Sequence, residues 1–238
     1  MSNEPRKLAD IIAQSEKFKA SAEKWQARKG FVQPAEPTEA EKEYVKKVFS
    51  EVPEPPKVSE ADAARMFWYY ANQAVPGYKI ENKELYRQLV NYFFGFPSKY
   101  DPTKGMILVG GTGSGKTVFI KAIRLALQHV GASFRMINCI DVEQSVRFGD
   151  GYEGYDSGRL CFDDLGAEQY ETLYMGNRIV VMAEVLQIRY NQWQDHSKKT
   201  FITSNLLPED IGKRYGTRVQ DRLNEMCNLE VFDWGSFR

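Results

Sequence analysis

The residues with the clearest potential for chemistry form a glycine-rich stretch, 110–117, that fits the pattern G-x-x-x-x-G-K-[ST]. Glycines let successive backbone N–H groups surround a phosphate group, and the N-terminus of a following helix adds partial positive charge. The pattern therefore predicts a phosphate-binding loop. Its residues are Gly110, Gly111, Thr112, Gly113, Ser114, Gly115, Lys116 and Thr117.

The last two residues of the loop predict a nucleoside triphosphate with a bound metal ion. Lys116 can reach the β- and γ-phosphates, and the Thr117 hydroxyl can ligate Mg²⁺. An apolar strand pattern (106–109) precedes the loop, and an apolar helical pattern (118–127) follows it. This order of strand, loop and helix is the context that the motif requires.

An acidic pair forms the second candidate site. The apolar stretch 159–162 indicates a strand, which ends in Asp163 and Asp164. In a parallel sheet the carboxyl ends of the strands line the ligand crevice, so both acids should face the phosphate-binding loop. We expect Asp163 to hold Mg²⁺, largely through water. We expect Asp164 to orient the water that attacks the γ-phosphate.

The length of Asp164 leaves the reaction rate open. Many P-loop ATPases carry a glutamate at the position of Asp164. Aspartate is shorter than glutamate by one C–C bond, about 1.5 Å, and a misplacement on the order of 1 Å can cost roughly 100-fold in rate. Three outcomes remain: the loop compensates, a further water intervenes, or turnover is slow. Glu168, four residues later, is the alternative carboxylate.

A polar strand end forms the third candidate site. The stretch 200–204 indicates a strand, and Asn205 follows it. Asn205 is suited to hold the attacking water between Asp164 and the γ-phosphate. Its alternative role is to cap the turn before Pro208.

The surrounding sequence predicts the elements that hold these residues. The pattern indicates an α/β domain with further strands at 133–138 and 229–232, and a capped helix that begins after Ser59. Other helices are expected at 82–94, 139–146, 179–193 and 208–215.

Composition and charge limit the compartment and the partners. The 238 residues include 32 basic and 32 acidic side chains, so no overall basic field indicates nucleic acid, although a local basic patch stays open. Cys139, Cys161 and Cys227 are unclustered and predict small core residues. The chain lacks an apolar membrane span and the apolar region of a signal peptide. We therefore expect a cytoplasmic protein without a membrane partner.

The N-terminal third indicates a separate extension. Residues 8–30 fit one amphipathic helix, and a short helix should begin at Thr38. Prolines at 34–37 and 53–56 separate these helices from the rest of the chain. The first helix either docks another protein or braces the chain internally. The expected division is 1–58 as the docking extension, 59–104 as a helical segment and 105–238 as the catalytic domain.

Two further segments allow two interpretations each. The aromatic run 66–70 has the spacing of a helix buried in the core, and base stacking is the alternative. The Gly/Tyr/Asp-rich segment 149–156 predicts an exposed, mobile loop that either contacts a partner or DNA or only connects its neighbours.

Four motifs carry a resemblance to a known family: GGTGSGKT (110–117), FDDLGAE (162–168), TSNL (203–206) and RYGTRVQDRL (214–223). From about residue 80 onward the chain resembles the AAA+ ATPases of the DnaC/DnaI helicase-loader and IstB transposition-helper group. The resemblance implies a three-layer P-loop AAA+ domain with a parallel five-stranded sheet and no C-terminal lid, preceded by the helical extension. It also implies ATP and Mg²⁺ as ligands.

The resemblance assigns roles to further residues. Asn205 is expected to act as the sensor of the γ-phosphate, and an arginine between 218 and 222 is expected to act on the ATP of a neighbouring subunit. Arg222 is preferred and Arg218 comes second, with a structural salt bridge as the alternative. Tyr78 and Ile80 are candidates to cover the adenine by their position before the loop.

These residues favour an ATP-driven assembly factor that self-assembles through its ATP site and loads a replicative helicase onto DNA. The N-terminal helix would dock the helicase. An IstB-like ATPase that assembles on DNA and directs a transposase is the alternative, and the DNA form stays open in both. An adaptor that binds nucleotide with little hydrolysis is a further alternative. A small-molecule kinase is disfavoured by the acidic pair and by Asn205.

Overall fold

The computed structural model describes residues 58–78, 82–149, 151–174 and 176–233. The helices expected at 8–30 and from Thr38, and the adenine candidate Ile80, lie outside the described residues. None of the described helices has the length and apolar character needed to cross a membrane.

Six of the described helices begin and end close to the positions that the sequence predicts, whereas the helix at Thr217–Met226 was not predicted from the sequence. Ser59 and Asn82 accept hydrogen bonds from the backbone N–H groups of Asp62 and Leu85 and cap the first two helices. The helices are α1 (Glu60–Ala74), α2 (Lys83–Phe94), α3 (Lys116–Gln128), α4 (Cys139–Phe148), α5 (Val181–His196), α6 (Pro208–Tyr215) and α7 (Thr217–Met226).

Five strands form a parallel sheet with the order β2-β3-β6-β1-β7. The expected parallel five-stranded sheet is thereby confirmed. Its strands are β1 (Gly105–Gly110), β2 (Arg135–Asn138), β3 (Leu160–Leu165), β6 (Thr200–Ser204) and β7 (Cys227–Phe232). A separate antiparallel hairpin, β4 (Thr172–Tyr174) with β5 (Asn177–Ile179), was not predicted from the sequence.

Helices cover both faces of the sheet and complete three layers. Successive side chains of a strand point to opposite faces, and the fully buried strand β1 divides accordingly. Met106 and Leu108 belong to a core that includes residues of α1, α2 and α3. Ile107 and Val109 belong to a second core that includes residues of α4, α5, α6 and α7.

The aromatic run in α1 lies largely in the first core, as its helical spacing predicts. Phe67 is fully buried, and its ring centroid lies 5.0 Å from that of Phe119 in α3. Trp68 and Tyr70 are half-buried, whereas Tyr69 is 59% exposed. The run therefore joins the segment before the glycine-rich loop to the helix that follows the loop.

The segment after α4 is more firmly held than its polar composition predicts. Tyr155 is buried, with its ring centroid 6.3 Å from that of Phe162 in β3. The fully buried Arg189 of α5 donates hydrogen bonds to the carbonyl oxygens of Tyr155, Ser157 and Gly158. The expected exposed loop is thus confirmed at Glu153 and Asp156 and corrected at Tyr155, whose ring is buried and whose carbonyl oxygen Arg189 holds.

All three cysteines of the chain are buried and form no disulfide, as predicted. Burial raises the pKa of the Cys139 and Cys161 thiols well above their ordinary value. Burial also raises the pKa of Cys227, to about 12.

Candidate functional site

The predicted site residues meet where β1, β3 and β6 end. Because these strands are neighbours in a parallel sheet, their carboxyl ends lie at the same edge. The glycine-rich loop follows β1, the acidic pair lies near the end of β3, and Asn205 follows β6.

Two glycines of the loop occupy conformations that a larger residue would not fit. Gly115 has φ 89° directly before α3, in the left-handed region that favours glycine. Gly110 has φ 151°, and a Cβ atom there would lie 2.2 Å from the carbonyl oxygen of Phe232 in β7. The loop can therefore present its backbone N–H groups at the start of α3, which is the geometry of a phosphate cradle.

Lys116 lies inside this loop and is only 4% exposed. Its ammonium group donates to the carbonyl oxygens of Gly110 (2.7 Å) and Gly111 (2.9 Å) and to Asn205 Oδ1 (2.9 Å). Burial lowers the pKa of Lys116, and the carboxylates of Asp164 and Asp163 oppose that shift. These contacts place a buried cation between the loop and the end of β6.

Asp163 is held by hydroxyl groups from two different elements. Its Oδ1 atom accepts hydrogen bonds from Thr117 (3.0 Å) in α3 and from Thr203 (2.6 Å) in β6. Oxygen ligands of this kind suit Mg²⁺. No group of three or more His, Cys, Asp or Glu side chains that could hold a metal occurs in the described ranges. Mg²⁺ at Thr117 and Asp163 would thus need phosphate and water as its other ligands.

Asp164 differs from its neighbour in backbone conformation. Its φ is 59°, in the left-handed region, and its backbone N–H donates to the hydroxyl of Thr203 at 2.9 Å. The amide nitrogen of Asn205 lies 3.5 Å from Asp164 Oδ1. Asn205 therefore contacts both Lys116 and Asp164.

A cavity of about 250 Å³ opens beside these groups. Tyr78 lines it and donates a hydrogen bond to the carbonyl oxygen of Gly115 at 3.2 Å. Burial raises the pKa of Tyr78 well above its ordinary value, so the phenol remains a donor at neutral pH. The lining consists of Val75, Tyr78, Thr112, Gly113, Gly115, Lys116, Thr117, Val118, Asp164 and Asn205.

The remaining predicted residues lie outside this cavity lining. Arg218 is exposed on α7, and Arg222 lies over the Tyr190 ring of α5 at 4.9 Å. Glu168 is buried elsewhere, where its carboxylate accepts from the backbone N–H of Gly166 at 2.9 Å and from the hydroxyl of Tyr215. Of the two candidate carboxylates, Asp164 is the one that lines the cavity.

Sequence reasoning assigned no role to Thr203 or to Val75. Thr203 was noticed only as part of the TSNL motif, yet its hydroxyl contacts both acids of β3. Its signal in the sequence is a polar residue that directly follows the apolar pair Phe201 and Ile202 of the strand. Val75 follows α1 and lines the cavity, and no local pattern marks it.

The strand order, the phosphate loop after β1, the acids of β3 and the asparagine after β6 agree with the AAA+ fold that the sequence motifs predict. No protein-family model and no curated protein sequence matches this chain.

Solved structures show the same fold. DnaI aligns with a TM-score of 0.52 at 19% identity, over 68% of this chain and 88% of DnaI. The DnaC helicase loader aligns with a TM-score of 0.49 at 22% identity, over 69% of this chain and 97% of DnaC. The replication initiator DnaA bound to AMPPCP and single-stranded DNA aligns with a TM-score of 0.50 at 15% identity, over 70% of this chain and 50% of DnaA.

These likenesses show the fold, which this chain shares with DnaI and with DnaA. The TM-scores for DnaI and DnaA carry that conclusion. The transposition-helper half of the resemblance rests on the four sequence motifs.

Proposed function

We propose that this protein binds ATP with Mg²⁺, hydrolyses ATP and acts as an assembly factor in DNA replication, as a helicase loader of the DnaC/DnaI type. The observation that supports hydrolysis best is the convergence of Lys116, Asp164 and Asn205 on one cavity, with Asp163 and Thr117 beside it. A cation, two carboxylates and an amide are the groups that phosphoryl transfer to water requires.

Each of these residues has a separate task in the proposed reaction. The glycine-rich loop and Lys116 bind the phosphates, and Asn205 lies between Lys116 and Asp164, where it can sense the γ-phosphate. Asp164 accepts a hydrogen bond from the attacking water and orients it. When bound at Thr117 and Asp163, Mg²⁺ supplies positive charge that offsets charge developing on the phosphate oxygens.

An arginine from a second subunit completes the proposed site. Arg218 and Arg222 do not line the cavity of their own subunit. An arginine that acts on the ATP of a neighbouring subunit must lie outside its own cavity in this way. The alternative for Arg222 is a packing role, because its guanidinium lies over the Tyr190 ring. Self-assembly through the ATP site follows from this proposal.

Helicase loading is the more specific part of the proposal. It is supported by the four motifs shared with the DnaC/DnaI group and by the fold likeness to DnaI and DnaA. The helix predicted at 8–30 would bind the replicative helicase, and the assembled subunits would bind DNA. An IstB-like role in transposition is the alternative that the motifs also allow. The short side chain of Asp164 favours, as a third candidate, an adaptor with little hydrolysis.

Replacement of the buried lysine tests the nucleotide site. Lys116→Ala should reduce ATP affinity and abolish turnover, because the phosphates lose the cation held inside the loop. The matched control is Lys121→Ala, since Lys121 is exposed on the same helix and does not line the cavity. Unchanged ATP affinity of Lys116→Ala in a direct titration would contradict the phosphate-loop assignment.

The same pair of variants tests the biological role. ATP-dependent co-elution of the wild type and of Lys121→Ala, but not Lys116→Ala, with a hexameric replicative helicase would support loading. ATP-dependent filaments on duplex DNA, with no helicase binding, would support the transposition alternative instead.

A further inference from the structure

The pairing of β3 with β6 changes beside the two acids. Phe162 pairs with Ile202, and the next paired residues are Leu165 and Ser204. Two residues of β3, Asp163 and Asp164, therefore lie opposite the single residue Thr203. This two-against-one arrangement is a β-bulge, a feature that re-aims side chains and is frequent next to active sites.

The bulge gives the two neighbouring acids different surroundings. The Asp164 backbone takes the left-handed conformation, which aspartate tolerates better than most residues. As a result, Asp163 contacts Thr117, whereas Asp164 lines the cavity beside Asn205. In a regular strand, successive side chains would simply alternate between the two faces.

A single hydroxyl group connects both acids to β6. Thr203 is fully buried, and its Oγ1 atom lies 2.9 Å from the Asp164 backbone nitrogen and 2.6 Å from Asp163 Oδ1. A threonine hydroxyl has one proton to donate and lone pairs that accept. Because the backbone N–H can only donate, the hydroxyl proton points to the Asp163 carboxylate. Burial prevents bulk water from replacing either bond.

We propose that Thr203 is a positioning residue for the ATP site. Its hydroxyl holds the Asp163 carboxylate in the orientation that serves Mg²⁺, and it holds the bulged backbone that turns Asp164 toward the cavity. Thr203 acts through the two acids and touches neither ATP nor the metal. The proposal rests on the proposed function for the roles of these acids and adds the residue that holds them apart.

Three variants separate this role from general packing. Thr203→Val removes the hydroxyl and keeps the shape, whereas Thr203→Ser keeps the hydroxyl. Thr200→Val is the matched control, because it removes a buried hydroxyl of the same strand that binds Arg189 Nε and neither acid. If Thr203→Val does not unfold cooperatively, the smaller Thr203→Ala takes its place.

The first readout is binding of AMPPCP with and without Mg²⁺. Without Mg²⁺ all variants should bind with wild-type affinity, because Lys116 and the loop are intact. The gain in affinity on adding Mg²⁺ should fall 10- to 100-fold in Thr203→Val, the range seen when a group that orients a metal-binding residue is lost. Thr203→Ser and Thr200→Val should keep the gain.

The second readout is turnover at saturating ATP. Thr203→Val should lose about 100-fold in kcat, since a misplacement near 1 Å costs that much, and Thr203→Ser should recover most of it. Adding Thr203→Val to Asp164→Asn should lower kcat by a smaller factor than Thr203→Val does alone, because only the Asp163 carboxylate is then left for Thr203 to position.

Three results would overturn the proposal. The first is a Thr203→Val variant with the wild-type Mg²⁺ gain and kcat. The second is an equal loss in Thr200→Val, and the third is an equal loss in Thr203→Ser. If the wild type binds AMPPCP with Mg²⁺ but hydrolyses no ATP, the hydrolytic part of the proposed function fails. The test then rests on AMPPCP binding alone. If Thr203→Val loses the gain in AMPPCP affinity on adding Mg²⁺, the positioning role is supported. If Thr203→Val keeps that gain, the role is excluded.

Discussion

Asp164 combines an unfavourable backbone conformation with a place beside the cavity. In the described part of the chain, only Asp164 and Ser197 have a positive φ without being glycine. The left-handed conformation costs roughly 1–2 kcal/mol for an ordinary L-residue, and aspartate and asparagine reduce that cost. Observed strain of this kind concentrates at functional sites. The strain at Asp164 is therefore a reason to test its carboxylate.

The variant Asp164→Asn removes the negative charge of the side chain and keeps the left-handed backbone conformation. Asparagine adopts the left-handed conformation at least as well as aspartate, so Asp164→Asn should unfold at the wild-type urea concentration. ATP affinity should stay unchanged, because Lys116 and the loop are untouched. The rate of phosphate release should fall about 100-fold or more, the usual contribution of a positioned acid or base.

Glutamate at the same position supplies the comparison. Asp164→Glu keeps the charge and extends the side chain by about 1.5 Å, so it should retain far more turnover than Asp164→Asn. Equal and full activity in both variants would mean that Asp164 has no catalytic role. Turnover would then have to depend on another carboxylate, and Glu168 would be the next residue to replace.

Local patterns predicted the site residues that belong to contiguous motifs. The glycine-rich loop, the acids after an apolar strand and Asn205 each follow a strand, so parallel pairing alone brings them to one edge. Thr203 could not be assigned in this way. Its importance depends on the bulge between β3 and β6, and the sequence does not show which residue of β6 lies opposite the extra residue of β3.

Helix α5 contributes a buried cation that the helical pattern does not predict. Arg189 is fully buried, and its guanidinium donates to Thr200 Oγ1 and to carbonyl oxygens on two segments, 155–158 and 198–199. Burial lowers the pKa of Arg189 to about 10, so the group remains charged at neutral pH. One side chain thus connects the ends of β3 and β6 that lie away from the ATP site.

Loss of this arginine should destabilise the domain strongly. Arg189→Met removes the donor to the buried Tyr155 carbonyl group and to four partly buried carbonyl groups, and a buried polar group left unpaired costs about 1–3 kcal/mol. We expect the free energy of unfolding to fall by on the order of 3–5 kcal/mol, measured by urea denaturation followed by circular dichroism. ATP affinity in the absence of urea should change little, since Arg189 does not line the cavity.

Arg178→Met provides the comparison for this prediction. Arg178 is exposed on β5, and its contact with Glu171 is 3.6 Å long, so its loss should change the unfolding free energy by about 0.5 kcal/mol or less. A similar small change in Arg189→Met would show that the buried network adds nothing to stability.

The strands and helices with a regular apolar period were predictable, and the irregular connections were not. The hairpin of β4 and β5 has three residues in each strand, too few for an alternating pattern to show. The segment after α4 is polar, glycine-rich and largely exposed, but Tyr155 within it is buried, and its carbonyl oxygen accepts a hydrogen bond from Arg189, more than thirty residues away. Such long-range contacts leave no local signal.

In the proposed assembly, the surface of α7 that carries Arg222 serves the ATP site of a neighbouring subunit and not the ATP site of its own chain. Arg222 lies on α7 above Tyr190, whose hydroxyl donates to Glu225 at 2.5 Å. Tyr190 is half-buried, and a cation over such a ring contributes on the order of 1 kcal/mol, so Arg222 can be replaced without unfolding the domain. Its main effect should appear only when subunits assemble.

Arg222→Ala should therefore bind ATP normally and hydrolyse it poorly. An arginine supplied by a neighbour can contribute 10³- to 10⁵-fold in related phosphoryl-transfer systems, so wild-type turnover per subunit should rise with protein concentration or with DNA. Mixing Arg222→Ala with Lys116→Ala should restore activity, because the second variant offers its arginine to the intact loop of the first. Arg218→Ala in the same assay tests the second candidate.

Two results would contradict this arrangement. One is a turnover per subunit that does not depend on protein concentration or DNA. The other is a mixture of the two variants that is no more active than either alone. Reduced stability of Arg222→Ala together with full turnover would assign the residue to packing against Tyr190.

The burial of the three cysteines has a practical consequence for labelling. Thiol reagents such as maleimides react with the exposed thiolate, and all three native thiols are buried with a raised pKa. A cysteine introduced at an exposed position, for example in place of Lys121 on α3, would thus be the preferred site of attachment in the folded protein. Fluorophores can then be placed one per subunit without removing any native cysteine.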